Sequence, residues 1–179
     1  GIDMFAGPSE VVIIADAKND PKIVSADLVA QAEHDQSAQS ILITIDEQLG
    51  NDVNKEINSQ INSLPRKDIA ASSWENNGKI IIVKSLDEAI ALSNRLAPEH
   101  LELLIDNPQE SIKKIKNAGA IFMGRNTPEA LGDYLAGPSH VLPTSRSAKF
   151  SSGLSVFDFL KKISLVEFSK EGIEQIGDS

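Results

Sequence analysis

Five short apolar runs, "EVVIIAD" from Glu10, "ILITI" from Ile41, "KIIIV" from Lys79, "LELLI" from Leu101 and "AIFM" from Ala120, are separated by longer stretches with helical spacing. Strands this short and this apolar are covered on both faces, and strands that alternate with helices pair in parallel through crossovers. The pattern predicts a Rossmann-like α/β/α layered domain. The intervening segments carry matching end signals. Asp20 precedes Pro21 at the start of a helix whose Val24, Leu28 and Ala32 share one face. Val53, Ile57, Ile61 and Leu64 recur at helical spacing until Pro65 stops them, and Ser85 with Glu88 stands at capping-box spacing before a helix that ends near Leu96, ahead of Pro98. Asn107-Pro108 opens a helix bearing Ile112 and Ile115, and Thr127-Pro128 opens a short one running to about Asp133. Beyond it, residues 135–153 hold too many glycines, prolines and serines for regular structure. "LSVFDFLKK" then predicts a last helix and "ISLVEF" a last strand before a polar tail.

The composition excludes several classes. At 179 residues and 41% hydrophobic content the chain can bury an ordinary core. No apolar run approaches the roughly 18 residues of a membrane span. A net charge of −9 leaves no basic stripe for a nucleic-acid backbone; "KKIK" and "LKKI" read as solvated helix faces. Without cysteine there is neither a disulfide framework nor a thiolate metal site, so a metal must use imidazole, carboxylate, amide or water. This composition fits a cytoplasmic setting. The chain opens on glycine with neither an initiator methionine nor a signal-peptide pattern, which predicts a segment that begins inside a longer polypeptide.

Only three histidines occur, each closing a short polar phrase: "QAEH" at His34, "APEH" at His100 and "GPSH" at His140. Gln31 and His34, three apart on a predicted helix, leave the same face. They can form half of a zinc site, or His34 can simply favour the negative end of its helix. Glu99 and His100 stand between a helix and a strand, where an imidazole and a carboxylate suit proton transfer. They precede their strand, however, whereas open α/β sheets hold ligands beyond strand carboxyl ends. A half-buried His100 with a solvated Glu99 is the bland alternative. "GDYLAGPSH" offers Asp133 as a metal carboxylate and His140 as a second imidazole, or else an ordinary turn. Ser9 in "GPSE" is a hydroxyl that can touch a substrate or merely complete a turn. No glycine-rich dinucleotide loop, P-loop or zinc-protease motif is present.

Taken together, "IDMFAGPSEVVIIAD", "SADLVAQAEHD", "LAPEHLELL", "GDYLAGPSHVLPT" and "FSSGLSVFDFLKK" resemble the histidinol dehydrogenase family, in matching order and across essentially the whole chain. The resemblance implies an NAD- and zinc-dependent enzyme of histidine biosynthesis that oxidises L-histidinol through L-histidinaldehyde to L-histidine. It implies zinc ligands at Gln31, His34 and Asp133, substrate contacts at Ser9, Gln31, His34, His100, Asp133 and His140, and Glu99 and His100 as the catalytic acid–base pair. It also implies a homodimer in which a C-terminal tail supplies a further zinc-ligating histidine and a substrate-binding glutamate to the partner's site. Family chains are more than twice as long, and their N-terminal half carries the principal NAD contacts. The chain is therefore expected to be an incomplete, C-terminal-half fragment, inactive by itself, with an α/β domain over residues 1–154 and the beginning of a tail over 155–179. "TSRSAKF" departs from a more glycine-rich version usual in the family. The rival reading is a non-catalytic α/β module that binds a metal or small ligand.

Overall fold

The computed structural model describes residues 7–177, apart from the side chain of Asp133; the opening "GIDMFA" lies outside the described residues. Five parallel strands, β1 (Glu10–Ala15), β2 (Gln39–Thr44), β3 (Lys79–Ile82), β4 (His100–Leu104) and β5 (Ala120–Met123), form one sheet in the order β3-β2-β1-β4-β5. The chain winds outward from β1 to β3 and then returns to place β4 and β5 on the other side of β1. This is the expected Rossmann-like layered α/β arrangement.

Strand alternation divides the core into two layers. Val11, Ile13, Ala15 and Leu104 pack under α1 (Pro21–His34), α2 (Glu47–Ser63) and α3 (Lys67–Asn77), where Val24, Leu28, Val53 and Ile57 are fully buried. Val12, Ile14, Leu101 and Leu103 pack on the opposite face with Ala89 and Ile90 of α4 (Leu86–Leu96). Each such large side chain contributes about 1.5–3 kcal/mol by leaving water. Asp20 caps α1 through the Lys22 N–H, and Pro21 is its first residue. At α4 the Ser85 side chain accepts the Glu88 N–H, while Glu88 accepts from Lys84 rather than from Ser85.

Elsewhere some expectations fail. The helix after Asn107-Pro108 is a single turn, α5 (Pro108–Ser111), continued by a 3-10 turn, with Ile115 at the margin of the second layer. α3 was not foreseen, since it carries no apolar stripe and is anchored by small Ala70 and Ser73 with Trp74 half-buried beside them. Residues 154–168 form neither the expected helix nor the expected strand. A Ser155–Asp158 capping box closes only a 3-10 turn, Val156–Phe159, and "ISLVEF" pairs with no strand among the described residues. Past this arm the described residues form α7 (Lys170–Ile176), in the stretch read as a polar tail. Val156, Phe157, Phe159, Ile163, Leu165 and Val166 all stand exposed along this arm. No helix among the described residues is long and apolar enough to cross a membrane.

Beyond the carboxyl ends of β1 and β4, where a ligand is expected, the described residues make an ion cluster. Arg125 donates to both carboxylate oxygens of Asp16 and to Asp106, which Lys18 also contacts. The chemistry gathers elsewhere.

Candidate functional site

His100 is the first residue of β4, and the alternation that sends Leu104 beneath the α1 layer sends His100 and Glu102 to the same face. Over β1 and β2 that face is covered by helices. Over β4 and β5 the described residues place α6 (Ala130–Tyr134), whose Gly132 meets Phe122 and His140, and a cleft remains beside α1. Ser9, Ala30, Gln31, His34, Glu99, His100, Glu129, Ala130, Tyr134 and His140 line a cavity of about 370 Å³ there. It lies at the amino ends of β1 and β4, opposite to the usual ligand end of such sheets, because its polar groups hang from the sheet face rather than from loops past the strands.

Glu99 and His100 are organised by one residue. The Glu10 N–H donates to Glu99 Oε2 at 3.0 Å, and the Glu10 carbonyl accepts from His100 Nδ1 at 2.9 Å. A carbonyl only accepts, so Nδ1 carries the proton and Nε2 presents its lone pair. Glu99 and His100 are both buried, and their nearest N and O atoms are 3.7 Å apart. Burial, opposed by the Glu10 N–H and by the Ser9 hydroxyl, pushes the Glu99 carboxyl up to about 7; the Glu10 and Glu129 charges push the same way. The solvated-Glu99 alternative is thereby excluded.

His140 stacks on His100 with ring centroids 4.8 Å apart, and their Nε2 atoms are 3.0 Å apart. Glu129 Oε1 lies 3.5 Å from His100 Nε2 and 3.3 Å from His140 Nε2. These three residues form a His/Glu/His cluster able to hold a metal ion. Gln31 is buried, and it faces the cavity with His34 from the last two turns of α1. The side chain of Asp133 lies outside the described residues, so the structure gathers six of the seven residues singled out in sequence and leaves the seventh undescribed.

Sequence reasoning overlooked Glu129, Tyr134 and Glu10. Glu129 stands four residues before Asp133, a spacing that could have marked it on a helix; Tyr134 is the only tyrosine in the chain and carries no pattern. Also overlooked was an acid pair behind the cleft. Glu102, fully buried in the apolar run "LELLI", accepts the Glu129 N–H at 3.1 Å through Oε1, while its buried Oε2 has no hydrogen-bond donor among the described residues and the Asp27 carboxyl of α1 stands beside it. Burial drives both carboxyls upward, and a proton retained between them supplies the missing donor. Because the folded pair holds a proton that the unfolded chain releases, its contribution weakens as pH rises above the ordinary carboxylate range. Glu102→Gln keeps the acceptor for Glu129 and gives Asp27 a permanent donor. In urea titrations of the metal-stripped chain, this variant is expected to overtake the wild type in stability at pH 9 and to lose that advantage at pH 4. Equal midpoints at pH 9 would contradict the shared proton.

The turn at "TSRSAKF" takes a backbone that suits glycine, although it holds none. Ser145 and Arg146 have φ of 54° and 65°, a left-handed backbone that glycine adopts most readily. The turn is held by Glu10, whose side chain accepts the Ser145 N–H, and by the Thr144 hydroxyl on the Gly7 carbonyl.

Comparison with known proteins gives the family of the chain. The family model described as histidinol dehydrogenase matches residues 1–179. The chain is 54% identical over 177 residues to histidinol dehydrogenase of Gluconobacter oxydans, covering 99% of this chain and 41% of that protein. It is 56% identical to the enzyme of Geobacter sulfurreducens over the same length and shares. The crystal structure of histidinol dehydrogenase from Elizabethkingia anophelis superimposes with a TM-score of 0.92 at 43% identity, over 98% of this chain and 40% of that one. The chain thus spans about two fifths of the length of these relatives, and it belongs to the histidinol dehydrogenase family.

Proposed function

We propose that the chain is the zinc- and substrate-binding portion of a cytoplasmic enzyme that oxidises L-histidinol through L-histidinaldehyde to L-histidine with two NAD. The observation that carries this reading is the convergence of Ser9, Gln31, His34, Glu99, His100 and His140 on one cavity. Gln31, His34 and Asp133 would hold the zinc. An amide oxygen, an imidazole and a carboxylate are a chemically suitable set, and the first two share the cleft face of α1. Zinc, when bound, supplies a Lewis acid that fixes the substrate's imidazole and amine.

The chain's own residues then handle the protons. Nε2 of His100, turned toward the cleft while the Glu10 carbonyl holds Nδ1–H, takes the hydroxyl proton as the carbinol is oxidised. Glu99, raised to about 7, is matched to neutral pH as the base that removes a proton from the water adding to the aldehyde. His140 and Ser9 hold the substrate between them. Both oxidations therefore use one anchored substrate.

NAD, when bound, would accept the two hydrides, but the described residues offer it no cradle. The turn after β1, "DAKNDP", has no glycine and places Asp16 and Asp20 where a pyrophosphate would need N–H donors. The NAD contacts are assigned to the length of the relatives that this chain does not span. The proposed organisation is an α/β domain over residues 1–154 and a tail over 155–179 that enters the partner site of a homodimer.

NADH formation from zinc, NAD and L-histidinol is the test. The full-length polypeptide carrying this segment should produce NADH, and this chain alone should produce little or none. A full-length protein that binds zinc yet fails to reduce NAD with histidinol would favour the non-catalytic binding module.

A further inference from the structure

We propose that His100, Glu129 and His140 form a second site for a zinc-sized divalent cation, in the same cleft as Gln31 and His34 but with its own set of ligand atoms. Three observations carry it. The first is spacing. Nε2 of His100, Nε2 of His140 and Oε1 of Glu129 are separated by 3.0, 3.5 and 3.3 Å. Ligand atoms about 2.0–2.1 Å from a tetrahedral zinc lie roughly 3.3–3.4 Å apart, so these three occupy one face of such a tetrahedron with only small adjustment.

The second is orientation. A ligating imidazole needs its lone pair on the metal side and its other N–H held by an acceptor, which fixes ring and tautomer. His100 meets both conditions, since its Nδ1–H is held by the Glu10 carbonyl while Nε2 faces the other two atoms. The third is support from behind. Glu129 enters α6 with its N–H on the buried Glu102, so its carboxylate is presented from an anchored backbone, and the stacked rings of His100 and His140 restrict each other. Nitrogen and oxygen donors of this kind suit zinc, cobalt or nickel better than magnesium or calcium.

The consequence rests on the functional reading given above: if His100 and His140 also contact histidinol, the second cation and the substrate exclude each other. Excess zinc then acts as an inhibitor competitive with histidinol.

Equilibrium dialysis of this chain against zinc, with metal content measured per chain, is the direct test. His140→Ala and Glu129→Gln should each bind one equivalent fewer than the wild type, whereas His34→Ala should retain the equivalent that those variants lose. The near-isosteric Glu129→Gln guards against misfolding of the alanine variant. Ring 15N shifts of His100 and His140 in the wild-type chain should also move on zinc addition. Zinc uptake by both variants equal to wild type, or unmoved ring shifts, overturns the inference. Loss of an equivalent in the His140 variant with no loss in His34→Ala leaves the inference standing and instead removes His34 from the zinc set.

Discussion

Glu99→Gln in the full-length enzyme is expected to lower turnover with histidinol by about 10²- to 10⁴-fold, the usual contribution of a positioned acid–base group. The same change should make the metal-stripped chain more stable at pH 8. Both effects share one cause. Burial raises the Glu99 carboxyl from 4.5 to about 7, so the folded state holds a proton that the unfolded state has released between those values. Stability conferred by the neutral form is complete below pH 4.5, declines as pH rises and is lost above about 7. The shift corresponds to a cost on the order of 3 kcal/mol at pH 8. A glutamine retains the oxygen that accepts the Glu10 N–H and never ionises. Urea unfolding at pH 4 and pH 8 separates the outcomes: a stability gain confined to the higher pH is expected. A glutamine variant that keeps full turnover would remove Glu99 from the chemistry.

The second large effect concerns residues 154–168. Leu165 is 93% exposed, Val166 80% and Phe159 78%, in an arm that leaves most of its apolar surface uncovered by the described residues. At roughly 1.5–3 kcal/mol for each such side chain removed from water, covering several of them offsets the entropic cost of association. Under the homodimer proposed above, the full-length protein should sediment as a dimer, and Phe159→Asp with Leu165→Asp should shift it to monomer and abolish turnover. The cleft residues remain intact in that variant. A double variant that stays dimeric and active would show that the arm has another role.

The legible parts of the fold are those in which local chemistry and tertiary packing agree. β1, β2 and β4 are buried along almost their whole length, the edge strands β3 and β5 only in part, and α1 and α4 bear cap residues that the structure uses. α3 escaped notice because Ala70 and Ser73 are buried through being small, which leaves no periodic signal. In the arm, the spacing of Val156, Phe157 and Phe159 does mark an apolar face, but the surface that would cover it is not among the described residues, so helical spacing produced no helix.

The site was legible in a similar way. Scarcity singled out three histidines, and helical spacing joined Gln31 to His34. Strand alternation could have placed His100 and Glu102 on one face, and a glutamate inside "LELLI" was a visible anomaly. Glu10 and Glu129 were hidden because their roles depend on register and return path. Glu10 meets the Glu99–His100 pair through a peptide group, to which any residue could contribute the same atoms, and Glu129 reaches His100 only after the chain has turned back along β5.

Under the function proposed above, residues distant in sequence hold one zinc and one histidinol in the cleft beside α1. Anomalous diffraction at the zinc edge, from crystals grown with zinc and L-histidinol, locates both. A peak within bonding distance of Gln31, His34 and Asp133 is expected, with histidinol between it and His100 and His140. A zinc peak outside this cleft, or histidinol bound away from both histidines, would overturn the proposed site.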